Sequence, residues 1–270
     1  MGFIFNGRHS SDLGLICKTE ELPLVPARRR QIEYVQGRDG AYVFDPEGYD
    51  ERVLVYRCTF PASLDYSTRR YLARQVAAWL SAEEGDLITD AEPDKKYRAR
   101  VDVSTPAEFG ASFDVFVVTF RAHPVVLSIY QNADEVTWDT PTQWQLTDIG
   151  WEVSELERTY RVTGEDTLEV ENLGTYPAQP IIKLSGTAAT VTLADDDRNT
   201  CTYTGLAPGT PIYIDCADPC VYSETAGVKT NQRTNFAGSY LRILPGTNTI
   251  DVSGDITDVT IEFIFADAYI

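Results

Sequence analysis

The sequence predicts a mostly β protein in which an α+β domain is followed by a β-sandwich. Its 15 Tyr and 11 Phe, with frequent Val and Thr and a single Met, are typical of strands. The hydrophobic residues follow a helical period only in the first half, whereas the second half has short apolar runs separated by Gly, Pro, Asn or Asp. A length of 270 residues is enough for two domains.

The charge distribution predicts where the two domains meet. Residues 1–130 carry 16 basic and 19 acidic side chains, whereas residues 131–270 carry 7 and 22, so the net charge changes from −3 to −15. This change lies beside the polar run 131–135, and exposed polar segments often connect domains. We therefore expect an α+β domain over 1–130 and a β-sandwich over 131–270.

The first domain is expected to contain several strands and a hairpin. The predicted strands are 31–36, 41–44, 53–60, 97–103 and 112–120. The first two flank Gly37-Arg38-Asp39-Gly40, a four-residue loop with glycine at both ends. Such a loop between two strand-like runs predicts a β-hairpin.

A single helix is predicted over 66–81. Leu72, Val76 and Trp79 recur at intervals of three to four residues, the spacing of one helix face. The N-cap is expected at Asp65 or Ser67, and Gly85 is expected to end the helix.

The second domain has the pattern of a β-sandwich without a helix. Many short strands with regular turn signals favour that architecture. The predicted strands are 167–171, 180–185, 190–193, 201–204, 211–216, 239–244, 248–252 and 258–265.

Composition also excludes several classes of function. A formal net charge of −18 argues against a nucleic-acid-binding protein, because Lys and Arg carry phosphate binding. No apolar run has the length of a membrane span, so we expect no membrane insertion. The N-terminal residues contain no apolar core typical of a signal peptide, and we expect folding in a host cytoplasm.

The cysteines predict free thiols. The set Cys17, Cys58, Cys201, Cys216 and Cys220 is odd in number and has no C-x-x-C repeat, unlike a secreted disulfide framework. Cys216 and Cys220 with nearby carboxylates are also compatible with half of a metal site. Buried thiols are the favoured interpretation, and we expect no cofactor and no metal.

No catalytic constellation is predicted. Asp195, Asp197 and Asn199 resemble the start of a calcium loop, but Thr200 and Leu206 stand where an EF-hand requires Gly and Glu. A hairpin turn is the simpler interpretation.

Hydrolase chemistry is equally unsupported. It would have to use His9 or His123, for which turn or edge positions are expected, and no G-x-S-x-G motif is present. We therefore expect no enzyme.

Two features leave a functional and a structural interpretation open. Trp138, Trp144 and Trp151 cluster at the start of the second domain, where they would either contact glycans or cover the edge of the core. Arg28-Arg29-Arg30 would either meet an acidic patch on a partner or lie on a solvated loop.

An ordered set of motifs resembles the siphophage distal tail proteins, the Dit family of phages and prophages. The first is the opening stretch from Phe3 to Leu15. The others, in order, are Gly37–Gly40, Arg52–Cys58, Ala78–Ile88, Asp90–Ala99, Glu171–Ile182, Ile214–Cys216 and Leu244–Ile250. The resemblance covers nearly the full chain.

This resemblance implies a structural hub at the distal tail tip of the virion. Such proteins form a homohexameric ring through the N-terminal domain, between the major tail-tube protein and the tail-tip protein. The C-terminal domain is a β-sandwich likened to galectins and carbohydrate-binding modules, and it anchors receptor-binding or other baseplate proteins. DNA is only a passing cargo of the ring lumen. The alternative is that the C-terminal domain itself binds host glycans during adsorption.

Overall fold

The computed structural model describes residues 2–37, 39–44, 48–102, 107–109, 114–129, 158–197, 199–225 and 227–270. The chain divides into two compact units. Met1–Leu127 with Ile270 form the first unit, and Ser128–Tyr269 form the second. No helix among the described residues is long and apolar enough to cross a membrane.

The first unit contains strands, one α-helix and a short 3-10 helix. The α-helix α1 is Tyr66–Leu80, and the 3-10 helix is Ser10–Leu13. The strands are β1 Phe3–Phe5, β2 Arg8–His9, β3 Ile16–Glu21, β4 Gln31–Glu33, β5 Tyr42–Phe44, β6 Arg52–Thr59, β7 Gly85–Thr89, β8 Glu92–Val101, β9 Ala107–Phe109 and β10 Asp114–Ala122, with β11 Val126–Ser128 at the end of the unit.

The main sheet of this unit is antiparallel, with the order β2-β1-β7-β8-β10-β6-β3. β10 and β6 pair along their length, from Val115 opposite Thr59 to Ala122 opposite Arg52. Alternate side chains of β6, including Leu54 and Tyr56, are fully buried, as expected of a strand with one face on the core.

Helix α1 packs on this sheet through aromatic side chains. Asp65 is the N-cap, because its carboxylate accepts hydrogen bonds from the amides of Ser67 and Thr68 at 3.1 and 3.2 Å. The Trp79 indole donates to the carbonyl of Phe5 at 2.9 Å and stacks on Phe3 with ring centroids 5.6 Å apart. The predicted helix and its cap are therefore confirmed.

The predicted end of the helix at Gly85 is wrong. The helix ends at Leu80, and Gly85 is the first residue of β7. A Cβ at position 85 would overlap the Asn6 side chain, so close approach of Asn6 explains the glycine.

The described residues of the second unit form strands and one short 3-10 helix, Arg233–Asn235. The strands are β12 Thr159–Val162, β13 Asp166–Asn172, β14 Ile181–Ala194, β15 Thr200–Leu206, β16 Ile212–Asp215, β17 Cys220–Thr225, β18 Val228–Asn231, β19 Phe236–Gly238, β20 Gly246–Ser253, β21 Ile256–Ile264 and β22 Ala268–Tyr269.

The long strand β14 takes part in two groups of strands. Its first residues, Ile181–Leu184, pair with β16, and its last residues pair with β15 and β20. The change occurs at a β-bulge between Thr187 and Ala188, next to Gly186 with φ +127°. The predicted strands 180–185 and 190–193 are therefore one continuous strand. They were predicted as separate because the small residues at the bulge do not have the apolar pattern of a strand.

A single hydrophobic cluster joins the two groups of strands into a sandwich. Fully buried members include Ile182 and Val191 from the two ends of β14, together with Phe263 of β21. The mostly β fold class, with its one α-helix in the first unit, is confirmed. The predicted strand at 239–244 is wrong, because Leu241 and Ile243 enter this core from an irregular segment after β19.

A buried polar network holds the C-terminal segment in the second unit. Arg158 donates to both carboxylate oxygens of Asp267 at 2.8 and 3.0 Å, and both side chains are almost fully buried. Asn172 donates to the carbonyls of Tyr176 and Ile243 and accepts from the amide of Gly174. Every polar atom of the Asn172 amide group is therefore used in positioning the chain.

Candidate assembly surfaces

The most exposed apolar surface of the described residues is an arm in the first unit. We define the arm as residues 22–51, the segment between β3 and β6. Its strands β4 and β5 form a separate two-stranded sheet, with Gln31 opposite Phe44 and Glu33 opposite Tyr42. The predicted hairpin is therefore confirmed, although its pairing stops at Glu33 and Tyr42 and leaves a loop longer than four residues.

Large apolar side chains of the arm face solvent both on its two strands and on the segments beside them. Tyr34 is 81% exposed and Leu24 is 88% exposed, and the aromatic rings of Tyr42 and Phe44 stack at 6.5 Å. The further exposed apolar residues are Val25, Ile32, Val35 and Val43. An exposed surface of this kind marks an interaction site, and a two-stranded hairpin alone is only marginally stable in water.

The arm is anchored where it leaves the body of the first unit. Arg52 is buried, and its guanidinium donates to the carbonyls of Pro124 at 2.9 Å, Pro23 at 2.9 Å and Leu24 at 3.2 Å. Burial lowers the pKa of Arg52 from its ordinary value. These contacts fix the root of the arm on both sides, because Pro23 follows β3 and Arg52 begins β6.

The arginine triplet lies at the same root. Arg29 Nε pairs with Asp50 at 3.2 Å, and the Arg28 guanidinium lies 5.7 Å from the centre of the Tyr49 ring. Arg28 also forms an isolated backbone bridge with Tyr49. Arg28 and Arg29 thus have partners within the arm. Neither the acidic patch on a partner nor the solvated loop considered from the sequence included such contacts.

A second candidate surface is a pocket of about 360 Å³ in the second unit. It is lined by Asp195, Asp196, Asp197, Asn199, Tyr240, Arg242, Leu244 and Asn248. The acidic run is the turn between β14 and β15, which confirms the predicted hairpin turn.

Some of the polar groups of the pocket are already paired. Asp195 accepts from the amide and side chain of Asn199, and Asp196 accepts from the amide of Thr249 at 3.3 Å. The Tyr240 hydroxyl has no hydrogen-bond partner among the described residues, and burial raises the pKa of Tyr240. The pocket lining therefore combines carboxylates, the Arg242 guanidinium and the aromatic ring of Tyr240.

The remaining predicted residues occupy structural positions or lie outside the described residues. His9 caps the first 3-10 helix and its Nε2 lies 3.0 Å from Asp90, and His123 immediately follows β10. All five cysteines are free, and the described residues contain no cluster able to hold a metal ion. Trp138, Trp144 and Trp151 lie outside the described residues.

The exposure of the arm was not predicted from the sequence. The signal was present, because both predicted hairpin strands carry apolar residues at consecutive positions, as in Tyr42-Val43-Phe44. A two-stranded ribbon cannot bury both faces of such strands within itself. Consecutive apolar residues on these strands therefore indicate that one face of the hairpin is covered by something other than the hairpin itself.

Comparisons with known proteins agree with this architecture. Residues 9–122 match the family of the phage tail protein RIFT-related domain. The crystal structure of the SPP1 Dit protein (gp 19.1), a paradigm of the hub adsorption apparatus in phages that infect Gram-positive bacteria, matches with a TM-score of 0.73 at 13% identity. The match covers 100% of this chain and 99% of that chain.

Other comparisons add little. The activated, Ca-containing baseplate of phage P2 matches with a TM-score of 0.40 and 10% identity over 93% of this chain and 90% of that chain, too low to carry an argument. No curated protein matches the sequence. The resemblance to siphophage distal tail proteins is confirmed by the domain family and the fold.

Proposed function

We infer that this protein is a structural hub at the distal tail tip, because residues 9–122 match the phage tail protein RIFT-related domain and the fold is similar to that of a Dit protein. In this proposal six copies form a closed ring through their first units. The ring joins the tail-tube protein to the tail-tip protein and anchors receptor-binding or other baseplate proteins. Assembly takes place in the host cytoplasm, and the role requires no catalysis.

The exposed arm is the observation that carries this proposal. A ring of identical subunits uses a head-to-tail contact, which requires two different complementary patches on each subunit. The arm supplies one patch, because its apolar side chains need cover. The other is an edge of the main sheet, where β3 ends the strand order and carries the exposed side chain of Ile16.

The second unit is acidic, which favours a role other than ring closure. Residues 131–270 have a net charge of −15, against −3 for residues 1–130. Strong like charge on the second units disfavours their mutual contact and favours partners of opposite charge. We therefore assign ring closure to the first unit and attachment of other baseplate proteins to the second.

Mass in solution tests the ring. Light scattering after size exclusion should give six times the chain mass of 30.1 kDa, and negative-stain images of that peak should contain a central hole. The arm variant Tyr34→Ser/Tyr42→Ser/Phe44→Ser should be monomeric with an unchanged circular dichroism spectrum. Tyr71→Ser is the matched control, because Tyr71 is an exposed tyrosine on α1.

The opposite result would be equally informative. A wild-type chain that stays monomeric with the tail-tube and tail-tip proteins present contradicts the hub. A ring that survives the triple arm substitution contradicts the arm as the contact.

The pocket favours glycan binding by the second unit as the second candidate function. Carboxylates and amides bind vicinal hydroxyls, and an aromatic ring packs on the apolar face of a sugar. Trp138, Trp144 and Trp151 are proposed as further glycan contacts.

Calorimetric titration with a panel of soluble mono- and disaccharides tests this second candidate. Asp197→Ala and Trp144→Ala should each weaken binding at least tenfold, whereas Asp218→Ala, an exposed acidic control outside the pocket, should not. Absence of heat with every sugar removes the candidate.

A further inference from the structure

Two buried cysteines lie directly opposite each other in the first unit. Cys17 on β3 pairs with Cys58 on β6, and their sulfur atoms are 2.9 Å apart. This separation is shorter than an ordinary contact between two sulfur atoms. The pair therefore differs from a chance meeting of two buried thiols.

The backbone geometry at this pair already suits a covalent bond. Directly opposed residues of antiparallel strands have Cα atoms about 4.5–5.5 Å apart. Disulfides accept Cα separations of about 4.4–6.8 Å. The register of β3 and β6 therefore places Cys17 and Cys58 within the range of Cα separations that disulfides accept.

We propose that Cys17 and Cys58 are a paired oxidation site that closes a cross-strand disulfide when the protein meets an oxidising medium. The oxidant is a low-molecular-weight disulfide such as glutathione disulfide. The closed bond braces the root of the arm, because Cys17 lies in the strand before the arm and Cys58 in the strand after it.

Cys17 and Cys58 differ in pKa and in burial, so they are expected to react in different steps of disulfide formation. The hydrogen bond with Cys58 lowers the pKa of Cys17, which favours Cys17 over Cys58 as the attacking thiolate. Cys58 is fully buried and its pKa is raised by the same pairing and by burial, whereas Cys17 is 8% exposed. Cys17 also lies on the edge strand β3, whose local opening admits a small oxidant more easily than opening of a central strand.

The reaction balances with glutathione disulfide. The Cys17 thiolate attacks one sulfur, forms a mixed disulfide and releases one glutathione thiolate. Cys58 then loses its proton to solvent and attacks the Cys17 sulfur, which releases the second glutathione thiolate. Two protein thiols are oxidised and one disulfide is reduced, and the two released thiolates take up the two protons.

Cys201 lies opposite Leu193 and Gly238 on its neighbouring strands, so no cysteine faces it across the sheet. Burial raises the pKa of both Cys201 and Cys216 to about 12, so neither is a thiolate at neutral pH. Cys220 is partly exposed, but burial and the nearby carboxylates of Asp215 and Asp218 raise its pKa, so oxidation is expected to select the pair in the first unit.

Peptide mapping tests the proposal on the full-length protein. The protein is incubated with glutathione disulfide, remaining thiols are blocked under denaturing conditions, and trypsin is added. Cleavage after Arg8, Lys18, Arg57 and Arg69 places the two cysteines on peptides 9–18 and 58–69. The expected product is these two peptides linked and lighter by two hydrogen atoms, and dithiothreitol should separate them.

Thermal unfolding tests the brace. The oxidised protein should have a Tm higher than the reduced protein by about 5–10 °C, because the bond constrains the unfolded chain. Cys17→Ser/Cys58→Ser should show no dependence on oxidant, and Cys201→Ala/Cys216→Ala/Cys220→Ala should retain the wild-type shift.

Three outcomes would overturn the proposal. One is recovery of both peptides unlinked and blocked, and another is Cys17 linked to glutathione only. The third is a linked peptide with unchanged Tm, which would remove the brace. The same measurements on the arm variant Tyr34→Ser/Tyr42→Ser/Phe44→Ser, which is expected to be monomeric, separate this proposal from the hub proposal, because no neighbouring subunit covers β3 there.

Discussion

The arm and the second unit use the same kinds of residues in opposite ways. In the second unit, alternating strands turn one face inward, and Ile182 and Phe263 are completely buried. In the arm, Tyr42, Val43 and Phe44 follow one another on a strand, and all three are exposed. A sandwich supplies a second layer for its apolar faces, whereas a two-stranded ribbon supplies none.

This difference separates residues that stabilise the chain from residues that are available for assembly. Burial of apolar area within the unit contributes to the free energy of unfolding of the monomer. The same area left exposed contributes only when a partner covers it. Substitutions in the two regions should therefore act on different measurements.

Phe120→Ala and Phe44→Ala should give the largest contrast. Phe120 is fully buried against Phe3 and Phe5, and its truncation should lower the free energy of unfolding by about 3–5 kcal/mol. Phe44 is 52% exposed, and its truncation should change the free energy by less than about 0.5 kcal/mol. Urea unfolding of the monomer measures both values, and equal effects would contradict the contrast.

Asn172→Ala should have the next largest effect. The substitution leaves the buried amide of Gly174 without its Asn172 acceptor, at a cost of about 1–3 kcal/mol, whereas the carbonyl of Ile243 keeps the amide of Ala178 as a donor. Thermal unfolding measures the loss. Asn231→Ala is the control, because Asn231 lies on the exposed strand β18. A Tm equal to that of the control would show that the network is dispensable.

The smallest effect is expected from the exposed pair Arg161–Asp258. The Arg161 guanidinium binds both carboxylate oxygens at 2.8 and 2.7 Å and lowers the pKa of Asp258. A carboxyl group whose pKa is lower in the folded state stabilises the fold at a pH above its pKa in the unfolded state. This contribution disappears as the pH falls through the pKa of the folded state.

Acid unfolding of Arg161→Gln tests this direction. The variant should be slightly less stable than the wild type at neutral pH, and the two should converge below a pH of about 4. A difference that persists unchanged into acid would mean that the pair does not contribute through this ionisation.

Local patterns in the sequence determined much of this protein. The period of Leu72 and Val76 predicted α1, and the carboxylate of Asp65 is enough to cap it, because capping needs only neighbouring amides. The hairpin and the turn at Asp195 were predicted because turn residues act over a few positions. The ordered motifs also indicated the distal tail family.

Only the tertiary structure decided contacts between residues that are far apart in sequence. The bulge in β14 depends on the strands that pair with it. The position of Gly85 at the start of β7 depends on the close approach of the Asn6 side chain. The meeting of Cys17 and Cys58 depends on the register of two strands that the arm separates. Exposure of the arm follows from the same cause, because only the packed structure determines which apolar faces remain without a covering layer.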